Sequence, residues 1–209
     1  AASDVYKRQV FTKLDVKEEG GNLILTANYK LGNLDKAQWT IHPDGMATLD
    51  YTYNFSGVVD LMGICFDYPE EQVLSKRWLG AGPYRVWQNR IHGAQYDIWE
   101  NDYNDPIPGE TFTYPEFKGY FGSVSWMSIR TKEGTISLTN ETPDFYIGVY
   151  QPRDGRDRLL YTLPESGISV LNVIPPVRNK VNSTDLCGPS SQPKWVDGPQ
   201  TGRLVLRFE

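Results

Sequence analysis

A period of two dominates this chain wherever it has a pattern. In "NLILTANYKL", Leu23, Leu25, Ala27, Tyr29 and Leu31 fall on one face, and Thr26, Asn28 and Lys30 fall on the other. Successive side chains of a strand point to opposite faces, so this segment is a half-buried β-strand. "KAQWTIHPDGMATLDYTYNF" reads as two strands joined at Pro43-Asp44-Gly45, because Pro presets the first central dihedral of a turn and Gly accepts a positive φ. Further strands are expected at "LMGICFD", "FGSVSWMSIRT", "GTISLTN", "DFYIGVYQ", "RLLYTL", "GISVLNV" and "GRLVLRFE". Helical periodicity is nearly absent, with "PYRVWQNRI" the one short candidate. Many short strands separated by Gly, Pro, Asn and Asp turns specify an all-β sandwich of large antiparallel sheets.

Two long stretches resist strand assignment and are expected as loops. One runs from Trp78 to Gly119 and gathers Trp78, Trp87 and Trp99 with Tyr84, Tyr96, Tyr103 and Tyr114; the other is "NVIPPVRNKVNSTDLCGPSSQPKWVDGPQ". Loops of such length inside a compact domain usually serve a purpose. Trp and Tyr rings beside Arg85, Gln88, Asn89 and Arg90 present flat apolar faces next to amide and guanidinium donors, which suits the C–H face and hydroxyl rim of a sugar. For any one ring the alternative is packing onto the sheets, since Trp is mostly buried in folded proteins.

Composition removes several functions. The 209 residues carry a net charge of −5 with Lys and Arg scattered among the acids, so there is no basic footprint for nucleic acid or an anionic membrane. The most continuous apolar run, "SGVVDLMGICF", is broken by Asp60 and Gly63 and falls short of a membrane span. Cys65 and Cys187 belong to no metal-binding spacing, so no metal or cofactor is expected, and a bridge between them stays open. "GAGP" lacks the Gly-Lys-Ser/Thr that completes a phosphate cradle and reads as a turn. Asp97, Glu100, Asp102, Asp105, Glu110 and Glu116 supply carboxylates without a framework to hold a pair, and no catalytic residue is assigned. His42, beside a hairpin turn, and His92, followed by Gly93, form no evident nucleophile triad. The sequons at Asn54, Asn140 and Asn182 matter only in a eukaryotic secretory chain.

The first nine residues, "AASDVYKRQ", start no pattern that "VFTKLDVKEEGG" continues. Back-translated as GCA GCG TCA GAT GTG TAT AAG AGA CAG, they resemble the adaptor joined to DNA fragments before short-read sequencing. Residues 1–9 are therefore expected to be an adaptor artefact, and residues 10–209 the C-terminal sandwich domain of a longer protein. No strand is assigned before Asn22.

"RWLGAGPYRVWQNRIHG" adds a resemblance. Trp78, Leu79, Gly80, Gly82, Pro83 and Arg90 resemble the W-[YL]-G-x-G-P…R signature in the C-terminal domain of glycoside hydrolase family 2 β-galactosidases. "YPEFKG" (Tyr114 to Gly119) is similar to the following segment, and "GPSSQPKW" with "GRLVLRFE" is similar to the tail of relatives from polysaccharide-degrading bacteria. The resemblance implies a galactose-mutarotase-like sandwich that closes a multidomain bacterial enzyme, periplasmic or cytoplasmic, whose catalytic glutamates lie in an upstream barrel. The barrel and a carbohydrate substrate are then the partners. Trp78, Tyr84, Arg85, Trp87, Arg90, Trp99 and Trp195 become the candidates for carbohydrate or interdomain contact. Arg85 stands where the family usually has an acid, and Trp195 is the candidate for the late-loop Trp that reaches the active site in well-known members. The competing expectation is a sugar-active enzyme in its own right, such as an aldose mutarotase. It needs a His/Glu acid–base pair on a concave sheet, for which only His42 and His92 are available.

Overall fold

The computed structural model describes residues 10–102, 119–141, 145–149, 167–176 and 188–209. Among them the strands are β1 (Val10–Glu19), β2 (Asn22–Lys30), β3 (Leu34–Ile41), β4 (Met46–Asn54), β5 (Gly57–Val59), β6 (Met62–Phe66), β7 (Val73–Val86), β8 (Gln95–Asp102), β9 (Tyr120–Thr131), β10 (Thr135–Asn140), β11 (Tyr146–Val149), β12 (Ile168–Val173), β13 (Lys194–Val196) and β14 (Pro199–Phe208). Every pairing is antiparallel. The all-β sandwich expected from the alternation is what forms.

One sheet path runs β1-β2-β3-β4-β14-β10-β9-β11-β12-β6, with β7 attached to β9 and β8 attached to β7; β13 and β5 form a separate ribbon. The path folds into two layers because β9 belongs to both. Its residues Trp126 to Arg130 pair with β10, whereas Phe121 pairs with Ile147 of β11. β7 follows β9 through the change, pairing Lys76 with Ile129 at one end and Val86 with Tyr120 at the other. A strand can pass from one layer to the next only by a bend or bulge. Here the register slips between Leu79 and Ala81, and Ser123 adopts φ 46°. Gly80 sits in the bend, where a Cβ would lie 2.9 Å from the Gly122 carbonyl oxygen and 3.1 Å from that of Ser123.

The layers close on a core of Trp78, Phe121, Met127, Ile129, Ile147, Val170 and Leu204. Trp78 is fully buried, its ring meeting Phe121 at 4.6 Å and 62°. Tyr53 on β4 donates its hydroxyl to Asn172 Oδ1 on β12 at 2.5 Å, and Trp39 on β3 meets Phe66 on β6 at 6.1 Å. These contacts put the β6 edge of the second layer over β3. The inner face of β1 and β2 extends beyond it, leaving Phe11, Leu14, Val16 and Leu23 exposed.

Several local expectations hold. The hairpin at Pro43-Asp44-Gly45 joins β3 to β4, with Gly45 at φ 85° and Met46 N donating to Asp44 Oδ1. "RLLYTL" lies outside the described residues. Others are corrected. Much of the stretch from Trp78 to Gly119 is not loop: β7 and β8 run through it, pairing Trp78 with Trp99. The alternation is present in β7, but Lys76, Gly80 and Gly82 occupy inward positions, so it does not read as an apolar stripe. "GAGP" is therefore strand rather than turn, and "PYRVWQNRI" is the end of β7 and a tight turn rather than helix. β1 also escapes the reading, because a bulge between Phe11 and Lys13 shifts its alternation.

Candidate functional site

The second half of the W-L-G-x-G-P segment ends in a turn that fastens a distant tail. Trp87 and Arg90 form an isolated bridge, Arg90 N donating to the Trp87 carbonyl at 2.9 Å, so Gln88 and Asn89 project at the tip. Gln88 Nε2 donates to the carbonyls of Ser190 and Gln192, each at 2.8 Å, and Gln88 N donates to Pro175 O at 3.1 Å. Asn89 Nδ2 donates to Ser191 Oγ at 3.2 Å. These bonds hold the short 3-10 turn Pro189–Ser191, from which the chain enters β13. The amides that looked free to receive a sugar are thus engaged in joining the turn to the tail.

Beyond the fastening lies the ribbon of β13 and β5. Trp195 pairs with Val58, and since directly opposed residues share a face, both point the same way. Trp195 is 70% exposed and Val58 44%. The neighbouring Val59 is fully buried, and Val196 packs against the main core, so the ribbon is anchored through its other face. Ser56 Oγ donates to Asp197 Oδ1 at 2.6 Å and accepts from Gly198 N at 3.1 Å, which ties the ends of the two strands together.

The remaining candidates divide. Trp78 is core, with Nε1 donating to Ala81 O at 3.2 Å. Trp99 is half-buried over Gly82, donating Nε1 to Gly80 O and Gln95 O. Trp87 is buried, its ring perpendicular to Tyr120 at 5.5 Å and 83°. Trp78 and Trp87 are packing elements of the core, and Trp99 packs on Gly82 while staying half-buried. Arg90 and Tyr84 are exposed, and Arg85 is half-buried. The fastened turn therefore links the segment carrying Arg90 to the tail carrying Trp195, while Trp78 lies inside the fold and Trp99 half-buried beside it.

Gly80 and Gly82 serve by their size. Neither has a positive φ; a Cβ on Gly82 would fall 2.5 Å from the Trp99 ring. Positive φ occurs instead at Gly119, at +59°, where a Cβ would also meet Val86 O at 2.8 Å and Trp87 Nε1 at 2.9 Å.

Asp97, Glu100 and Asp102 lie exposed on both faces of β8, which among the described strands pairs only with β7. Asp105, Glu110 and Glu116 lie outside the described residues, as do residues 114–118 of "YPEFKG". His42 Nε2 bonds Thr48 Oγ1 at 3.1 Å beside the β3–β4 turn, and His92 is exposed in the turn between β7 and β8. Through the register of β4, β14, β10, β9 and β7, these turns fall at opposite ends of the large sheet. The two histidines cannot act on one substrate.

Lys76 was not foreseen. It is only 2% exposed, donates Nζ to Asp102 O at 2.6 Å and stands 5.5 Å from the centre of the Phe121 ring. A Lys beside Ser75 and Arg77 gives no sign in the sequence of facing inward. The thiol of Cys65 is pushed above its ordinary pKa, chiefly by burial, with the Asp67 charge adding to the rise and the hydrogen bond from Ser169 opposing it. Cys187 lies outside the described residues.

No protein-family model matches the chain. No curated protein matches it either. Among solved structures it is similar to a GalM/aldose epimerase homologue from C. elegans, at a TM-score of 0.39 and 8% identity, over 95% of this chain and 69% of that one.

Proposed function

We propose that this sandwich is a carbohydrate-contacting accessory domain of a family 2 β-galactosidase-like glycoside hydrolase, galactose-mutarotase-like in fold, that works beside a catalytic barrel elsewhere in the same polypeptide. The observation that carries the reading is Trp195. A Trp is normally among the more buried residues, yet this one is 70% exposed on a ribbon whose opposite face is anchored in the core. An indole held outward on a fixed support offers its face to the C–H surface of a sugar, with little ordering left to do on binding. Val58 widens the apolar surface, and the exposed Arg90 lies on the turn that Gln88 and Asn89 fasten to residues 190–192, just before β13. In this reading the fastening by Gln88 and Asn89 keeps the platform in place, and hydrolysis belongs to the barrel.

Titrating the chain with galactose and galacto-oligosaccharides while following indole fluorescence and amide NMR shifts tests the reading. Binding should centre on Trp195, and Trp195→Ala should abolish it with Tm unchanged. Shifts that avoid residues 188–198, or no binding at any sugar concentration reached, would overturn the platform. Polarimetry of freshly dissolved α-galactose supplies a separate arm: catalysed mutarotation would establish the epimerase alternative instead.

A further inference from the structure

We infer that β1 is a self-pairing edge, through which two copies of this chain join antiparallel about a two-fold axis at Val16. Among the described residues β1 pairs with β2 on one side only and stands at the end of the sheet path, so its other edge carries backbone groups that no described strand pairs, along a ten-residue strand. It contains no Pro, and its one bulge lies near its start, between Phe11 and Lys13. From Lys13 to Glu19 the backbone is regular and open to a partner.

The side chains specify which partner. On the outer face Lys13, Asp15, Lys17 and Glu19 alternate in sign. Charged side chains, Pro, bulges and inward-pointing charges keep an edge from pairing. β1 carries its bulge at one end and the inward-facing Glu18 near the other, but charges of one sign on the outer face, which would repel any copy of themselves, are not what it presents. This alternation does the opposite. When a second β1 is laid antiparallel with Val16 facing Val16, Lys13 opposes Glu19 and Asp15 opposes Lys17, and the two-fold axis repeats both pairs. Opposed charges across an antiparallel pair attract, and like charges repel. A register slipped by two residues sets Asp15 against Glu19 or Lys13 against Lys17, so the charges select one alignment. In the single chain these groups form ion pairs along their own strand, Lys13 with Asp15 at 2.6 Å and Lys17 with Glu19 at 2.8 Å, both well exposed. Exchanging them for cross-strand pairs leaves none of these four charges unpaired.

The opposite face favours the same union. Phe11, Leu14, Val16 and Leu23 are 56%, 49%, 60% and 36% exposed where the inner face overhangs the second layer. Pairing the edges makes the two overhangs continuous across the axis, with Val16 against Val16 at the centre and Glu18 opposite Leu14 at the rim. The partner that fits both faces is a second copy.

Sedimentation equilibrium of the whole chain should show a monomer–dimer equilibrium. Changing Lys13→Glu with Lys17→Glu makes the outer face wholly acidic, and Asp15→Lys with Glu19→Lys makes it wholly basic. Each variant alone should lose dimerisation by at least about tenfold, with circular dichroism unchanged and Tm equal to that of the wild type at concentrations where the wild type is monomeric. Mixed one to one, they should recover it as a heterodimer. A wild-type chain that stays monomeric at every concentration reached would overturn the inference and leave the overhang to another protein or domain. So would a dimer indifferent to the charge changes, which would join through another surface, or a mixture that fails to associate.

Discussion

One inner sheet face has two fates in this molecule. Across β4, β14, β10 and β9 it is covered by the second layer, and Leu49, Leu204, Leu138 and Met127 are each at most 3% exposed. Across β1 and β2 the same face continues with the same alternation, yet Leu14 and Val16 stand about half exposed or more. Periodicity is therefore a property of the strand, while burial is a property of what lies opposite. The covered part should govern folding stability, and the overhanging part should govern association.

The largest expected effect breaks the covered part. Trp78→Ala removes a fully buried ring that touches both layers and should cost about 3–5 kcal/mol, measured by urea denaturation. A loss below about 1 kcal/mol would mean that the layers do not depend on this ring.

A smaller effect separates two stacked rings of the covered face. Tyr51 and Tyr53 lie parallel within 6°, but only Tyr53 has a partner, Asn172. The Tyr51 hydroxyl is buried without one. Tyr53→Phe should therefore cost about 1–2 kcal/mol by leaving Asn172 unsatisfied, whereas Tyr51→Phe should be neutral or slightly stabilising. Equal losses in the two variants would contradict the hydrogen-bond assignment.

The same rings predict the response to alkali. Burial pushes Tyr51 up to about 12, and it raises Tyr53 too, with Tyr51 adding to the effect. An unfolded tyrosine ionises near pH ~10. Because the folded pKa lies above the unfolded one, the stability is fully present below the unfolded value and is lost as pH rises through the folded one. Circular dichroism should follow unfolding in that window, and Tyr51→Phe should move its midpoint upward.

The smallest effect belongs to the overhang. Leu14→Ser should change monomer stability by no more than about 0.5 kcal/mol. A loss like that of a core leucine would mean that this face is covered within the single chain.

What could be read in the sequence follows the same division. Alternating apolar residues revealed β2, β3, β4, β9, β10, β12 and β14 because in them the inward positions are mostly apolar. β7 stayed hidden because Gly80 and Gly82 fill inward positions, and the reasons lie in distant partners: the path of β9, about forty residues later in the sequence, at Gly80, and the Trp99 ring of β8 at Gly82. β1 stayed hidden behind a bulge that only its pairing with β2 reveals. Among the candidate rings, composition showed that Trp78, Trp87, Trp99 and Trp195 were present but not which faced inward. That was decided by the partners Phe121, Tyr120, Gly82 and Val58, none of which the spacing of the Trp residues encodes.

The place of β14 has a consequence for how the chain is made. It lies between β4 and β10, yet it follows every other described strand in sequence. During synthesis β1 to β4 can assemble as one meander and β9 with β10 as another hairpin, but among the described strands they have no shared neighbour until residues 199–208 emerge. Until then, β4 and β10 each present an unpaired edge beside an uncovered apolar face, the condition under which nascent chains aggregate. Pairing Leu204 with both Leu49 and Asn140 then closes the large sheet in a single late step. Ribosome-bound chains stalled before Pro199 should accordingly recruit chaperones that chains in which residues 199–208 have emerged do not.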